Sequence, residues 1–151
     1  MANRKIDMKN KFIILAIIAF CFTSRNCLAQ NFDSVYVYAV YMNGSYHIKL
    51  DKDLIKNEVE PIVVTSKTKI DAIHSTLTNT VKGDLMKKLK SNQLDIRLSF
   101  EFFKNGKPDQ TIGVTPYNTM FINYSLYSYD KQRLKHLDEY VEGLSKVLGI
   151  K

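Results

Sequence analysis

The 151-residue chain has two cysteines, and both, Cys21 and Cys27, lie within its first thirty residues. Residues 30–151 therefore offer no disulfide framework, no cysteine nucleophile and no thiolate for a metal. Glycine is scarce as well, at six residues. No glycine-rich stretch could cradle a phosphate, and Gly44 and Gly106, each preceded by Asn, read as turn residues. Long apolar runs are also missing. The longest, Phe12 to Phe22, is far shorter than the roughly 20 residues a membrane-crossing helix needs.

That short run has the length of a signal-peptide apolar region. Arg4, Lys5, Lys9 and Lys11 precede it, opposed only by Asp7. Cys27-Leu28-Ala29 supplies small residues at the positions a signal peptidase reads, which places the cut between Ala29 and Gln30. Met8 is an alternative start, since the residues after it still provide a basic flank. The Ala-Gln junction resembles the signal-peptide ends of exported Gram-negative proteins. Residues 1–29 thus read as a leader, and the protein is expected to be exported, either periplasmic or secreted. A lipid anchor on Cys21 is the alternative, although Phe20 stands where a small residue is needed.

Removing the leader changes the charge. The full chain carries +7, from 22 Lys and Arg against 15 Asp and Glu. The leader holds five of the basic residues and one acidic residue. A surplus of about +3 remains, which is an ordinary solvated surface and argues against a nucleic-acid partner. The remaining length suits a single domain, 30–151.

Periodicity then places the elements. Residues 35–42 are rich in β-formers, and Asn43-Gly44 predicts a hairpin returning over 45–50. Closing that turn sets Tyr41 against Tyr46, Ala39 against Ile48 and Val37 against Leu50, an apolar core face. Asp51 to Asn57 reads as a helical turn or loop with Asp51 at its start, and residues 62–65 as a short strand after Pro61. Thr68 and Asp71 have the spacing of a capping box. The helix behind them aligns Ile70, Ile73, Leu77 and Val81. Gly83 is expected to end or bend it, with a second, basic helical turn at 85–90. Residues 94–102 alternate strictly, which predicts a strand with Asp95, Arg97, Ser99 and Glu101 facing water. Asn105-Gly106 turns that strand into another ending at Pro116. A small hairpin is expected around Asn123-Tyr124. Asp130 then caps a C-terminal helix with Leu134, Leu137, Val141, Leu144 and Leu148 on one stripe, through Gly143. The fold class that follows is α+β: an antiparallel sheet of five to six strands with two amphipathic helices packed on one face.

Chemistry is sparse. His74 and His136 have no second histidine at helical spacing, so no metal site is expected. Asp51 and Asp53 lack the rest of a calcium loop and read as a helix-start cap. No cofactor is expected. Lys82, Lys87, Lys88 and Lys90 form a basic cluster that either meets an anionic partner or is a solvated helix end. Asn43 and Asn123 stand in glycosylation sequons, which a bacterial source would leave idle.

The most suggestive feature is the hairpin face turned from the expected core: Tyr36, Tyr38, Val40 and Met42, opposite His47 and Lys49. Left uncovered, it would have the composition of a recognition surface. The expectation is a small, non-enzymatic binding protein. It would be an inhibitor, an immunity-type protein or a module docking another exported or envelope protein. A hydrolase using His47 with Tyr38 and Asp51 is the alternative, and a small-ligand carrier with a cleft between sheet and helices is another.

Overall fold

The structure, a computed structural model, describes residues 31–42, 44, 48–88, 94–123 and 125–149; for 82–88, 145 and 148 it describes the backbone alone. The leader and the lipid alternative at Cys21 lie outside the described residues. A thiol-free mature form rests on that cleavage, because the chain itself carries both cysteines.

The described chain is α+β with an antiparallel sheet. In order it forms β1 (Ser34–Ala39), α1 (Leu54–Glu58), β2 (Ile62–Val64), α2 (Lys67–Thr80), β3 (Val81–Lys88), β4 (Leu98–Lys104), β5 (Lys107–Val114), β6 (Thr119–Ile122) and β7 (Ser125–Tyr129). A 3-10 helix (Lys131–Glu139) and α3 (Leu144–Leu148) follow. The sheet has seven strands, ordered β2-β1-β4-β5-β6-β7-β3. The strand beyond the expected five or six is β3. Its residues read locally as a helix end with a basic turn beyond, but α2 stops at Thr80 and the chain pairs with β7.

Strands β4 to β7 form a meander. Asn105 and Gly106 both have positive φ, 53° and 69°, the combination that a two-residue hairpin turn requires. Pro116 follows the end of β5, and β6 and β7 form the hairpin expected around Asn123.

Among the described residues the first hairpin is not formed; Asn43 and residues 45–47, and with them the expected Tyr41–Tyr46 pair, lie outside the described residues. Both edges of β1 are occupied, by β2 and β4, so residues 48–50 have no strand to join. The segment after β1 is held instead by longer contacts. Met42 N–H donates to the Val147 carbonyl, and Ile96 N–H donates to the Leu50 carbonyl. Tyr41 and Ile48, expected inside, are exposed.

Two clusters divide the interior. Val35 and Val37 of β1, Leu98, Phe100 and Phe102 of β4, and Ile112 and Val114 of β5 share one cluster, here face A. Ile70, Ile73 and Leu77 of α2 belong to it, as do Leu134, Leu137, Val141 and Leu144 near the C-terminus. The second cluster, face B, joins Tyr38, Val40, Ile96 and Phe121 to Leu50, Leu94 and Ile55 of α1.

Two helix details differ from expectation. No Thr68–Asp71 capping box closes α2; Ser66 is its N-cap residue and Asp71 instead accepts from Lys67 Nζ at 2.6 Å. The C-terminal stripe does not ride on one α-helix. Asp130 Oδ1 does accept from Gln132 N–H at 3.1 Å, as a cap should. Gly143, however, adopts φ of 80° and separates the 3-10 helix from α3. A left-handed residue cannot continue a right-handed helix.

Candidate functional site

Face B is where the sequence placed a recognition surface, and the fold covers it. Tyr38, Val40 and Met42 are buried, while Tyr36 is partly buried. Met42 turns to the other cluster and joins face A. Lys49 is exposed, and His47 lies outside the described residues. The residues do not form an open Tyr- and Met-rich patch. Central strands are often apolar on both sides, and β1 is such a strand, closed on face B by α1 and the segment leading into it.

The second correction lies on β4 and its approach. Asp95, Arg97, Ser99 and Glu101, expected to face water, are all buried. Ion pairs make this tolerable, since a lone buried charge is costly. Arg97 Nη2 donates to Asp95 Oδ2 at 2.7 Å. Asp95 Oδ1 accepts Leu50 N–H at 3.2 Å, and Arg97 Nη1 donates to the Gly44 carbonyl at 3.1 Å. This pair therefore ties the irregular segment after β1 to the start of β4. Further along, Lys56 of α1 reaches over β4 and donates to Glu101 Oε1 at 2.7 Å. Its ammonium also sits 5.9 Å from the Tyr38 ring centre. Burial, and then the Glu101 charge, push the Tyr38 phenol above 10. It stays neutral and cannot act as a base near neutral pH.

Asp51, the third group of the hydrolase alternative, accepts the backbone N–H groups of Asp53 and Leu54 at 2.9 and 2.8 Å. It shapes the start of α1, the cap role its position suggested. Among the described residues, no three His, Cys, Asp or Glu side chains converge on a possible metal position. No helix among them is long and apolar enough to cross a membrane.

Among the described residues, two clefts are lined as follows. One, of about 430 Å³, is lined by Lys52, Glu101, Asp109, Thr111, Phe121 and Asn123 beside the Lys56–Glu101 pair. The other, of about 370 Å³, lies between α2 and the 3-10 helix, lined by Ser75, Asn79, Arg133, His136, Glu139 and Tyr140. There His136 Nδ1 is 3.5 Å from Glu139 Oε1, and both side chains are exposed. His74 faces elsewhere, packed between the Phe32 and Phe102 rings with Nε2 2.8 Å from Gln110 Oε1.

Among the described residues, the most exposed large apolar side chains are Tyr117, Ile48 and Tyr41. Ala39 pairs with Leu98, and Leu98 pairs with Val114, so the segments leaving β1 and β5 emerge at the same end of the sheet, on either side of the chain entering β4. Tyr41 and Tyr117 sit just beyond those ends, 58% and 73% exposed. Ile48, 59% exposed, lies two residues before Leu50, whose carbonyl accepts from Ile96 N–H on the approach to β4. Sequence reading missed Tyr117 and misplaced Tyr41 and Ile48. The one available signal was the position of Tyr117 directly after Pro116, at a strand end.

Compared with protein-family models, curated proteins and solved structures, the chain matches none.

Proposed function

We propose that the chain is exported and serves as a small, non-enzymatic binding domain that meets a protein partner at the sheet end carrying Tyr41, Ile48 and Tyr117. One observation carries this reading: Tyr41, Ile48 and Tyr117 are each more than half exposed, and Tyr41 and Tyr117 follow the ends of β1 and β5, which leave the sheet at the same end. Tyrosines of this kind supply large contact area with a polar tip, and they recur where partners dock. The Asp95–Arg97 pair supports the reading, because it fixes the segment bearing Tyr41 and Ile48 and so lowers the ordering cost of binding. In this reading α2 and the C-terminal segments act as one amphipathic layer over face A, which leaves the end of the sheet for the partner.

The test is a paired capture from envelope extract of the source cells. The wild-type chain should retain a partner in near-stoichiometric amount. Tyr41→Ser with Tyr117→Ser should retain at least about tenfold less at unchanged melting temperature, as expected for two contact-centre tyrosines. Equal capture by both proteins would remove the reading. Export is read separately, by the mass of the cellular form, which should begin at Gln30.

A further inference from the structure

Strand β2 ends the sheet, with β1 as its only neighbour. Among the described residues, no backbone hydrogen bond beyond the β1 ladder reaches Ile62, Val63 or Val64. Alternate residues of an antiparallel strand turn their N–H and C=O groups away from the existing partner, so this edge presents unpaired backbone groups. Ile62 and Val63 are also exposed, at 45% and 48%. Apolar β-branched side chains on an open edge are a template for another strand.

The flanking charges say which strand fits. Glu58 and Glu60 precede the edge, Lys67 and Lys69 follow it, and all four are exposed. Lys67 is shared with Asp71 of the same helix, while Lys69 has no such contact within α2 among those described. The acidic end and the basic end are thus separated by the strand itself. A parallel neighbour of the same sequence would set acid beside acid and base beside base. An antiparallel one sets Glu58 and Glu60 of each copy beside Lys67 and Lys69 of the other.

We propose that β2 is a self-association edge, pairing antiparallel with β2 of a second copy of this chain around a two-fold axis near Val63. Ile62 of one copy then lies opposite Val64 of the other, and the two sheets become continuous. The edge is only three residues long, so the association is weak and concentration-dependent. Because the Tyr41 and Tyr117 end is a different part of the molecule, failure of this pairing leaves the partner-binding proposal untouched, and the reverse holds too.

Sedimentation equilibrium of the purified chain tests it. A monomer–dimer equilibrium is expected below about 1 mM, the weak end of measurable association. Val63→Lys should abolish it. Two charge variants, exposed and so safe for folding, settle the orientation. Glu58→Lys with Glu60→Lys should weaken self-association about tenfold or more, as should Lys67→Glu with Lys69→Glu. Mixing these two variants should restore dimers as a heterodimer. A monomer at every concentration would overturn the proposal, and so would a dimer indifferent to Val63→Lys. A dimer lost in Val63→Lys but unchanged by either charge variant would overturn the antiparallel second copy as the occupant.

Discussion

The two faces of one sheet are built by different physics. On face A, Val35, Val37, Phe100, Phe102, Ile112 and Val114 meet the stripes of α2 and the C-terminal segments with almost no polar group among them. On face B the same strands present Tyr38, Ser99, Glu101 and Gly113, and charged side chains are drawn inside. Face A is held mainly by burial and close packing, with the His74–Gln110 hydrogen bond as a polar exception. Face B holds less apolar surface and uses directional bonds, which act where no regular element is available. Residues 48–50 make no strand, yet Asp95 and Arg97 grip this part of the chain at Leu50 N–H and the Gly44 carbonyl. Alternating polarity along a strand therefore reports which residues share a side, without saying whether that side is wet.

The sharpest way to break this contrast is to remove one charge from face B. Arg97→Met leaves the Asp95 carboxylate buried without its cation and deprives the Gly44 carbonyl of its donor. We expect a loss of about 3–5 kcal/mol in urea unfolding. Adding Asp95→Asn, which keeps an acceptor for Leu50 N–H, should recover about 1–4 kcal/mol. A loss below about 1 kcal/mol in the single variant would mean that packing, and not the ion pair, holds face B. A smaller effect is expected where face B does pack tightly. A Cβ at Gly113 would lie 2.8 Å from Ile96 Cδ1 and 3.2 Å from both Cγ atoms. Gly113→Ala should cost about 1–3 kcal/mol by overpacking. Ile96→Val, which removes Cδ1, should be less destabilising in that background than in wild type. If the two changes are simply additive, the Ile96–Gly113 contact is not the cause.

Much of face A was legible in the sequence because its determinants are local. The Ile70, Ile73 and Leu77 spacing, the Asn105-Gly106 turn and the stop at Pro116 each depend on a few neighbouring residues. What escaped was decided by competition over distance. Asn43-Gly44 is a sound local hairpin signal, but β2 and β4 take both edges of β1 first. Val81 to Lys88 has a helix-like polar pattern, and pairing with β7 overrides it. At the candidate site, the Tyr36 and Tyr38 face was recognised as apolar, whereas its cover, Leu50 and Ile55, lies well downstream of it. Asp95 and Arg97 stand two apart, hence on one side of an extended chain, and that spacing was the available hint of a buried pair. Nothing local announces that Tyr41 and Tyr117 follow strands that leave the sheet at the same end; only the register of β1, β4 and β5 does that.

The smallest predicted effect concerns face A, where a half-buried imidazole interrupts the apolar layer. His74 lies with its ring centre 5.2 Å from Phe32 and 5.2 Å from Phe102, the latter edge-on at 90°. Burial holds its pKa below the ordinary 6.5, against the opposing pull of the Gln110 hydrogen bond and the Asp71 charge; Lys67 adds slightly to the lowering. A depressed imidazole pKa means that the unfolded chain takes up its proton first as pH falls. The stability tied to neutral His74 is therefore full above the unfolded value. It declines as pH drops through 6.5, and levels off once the folded imidazole itself is protonated. His74→Gln cannot titrate and can still bond Gln110. Its unfolding free energy, followed from about pH 7 to about pH 5, should fall less steeply than that of wild type. Both proteins carry every other titrating group, so the difference between the two slopes isolates this imidazole. Parallel slopes would show that His74 takes no part in the acid response.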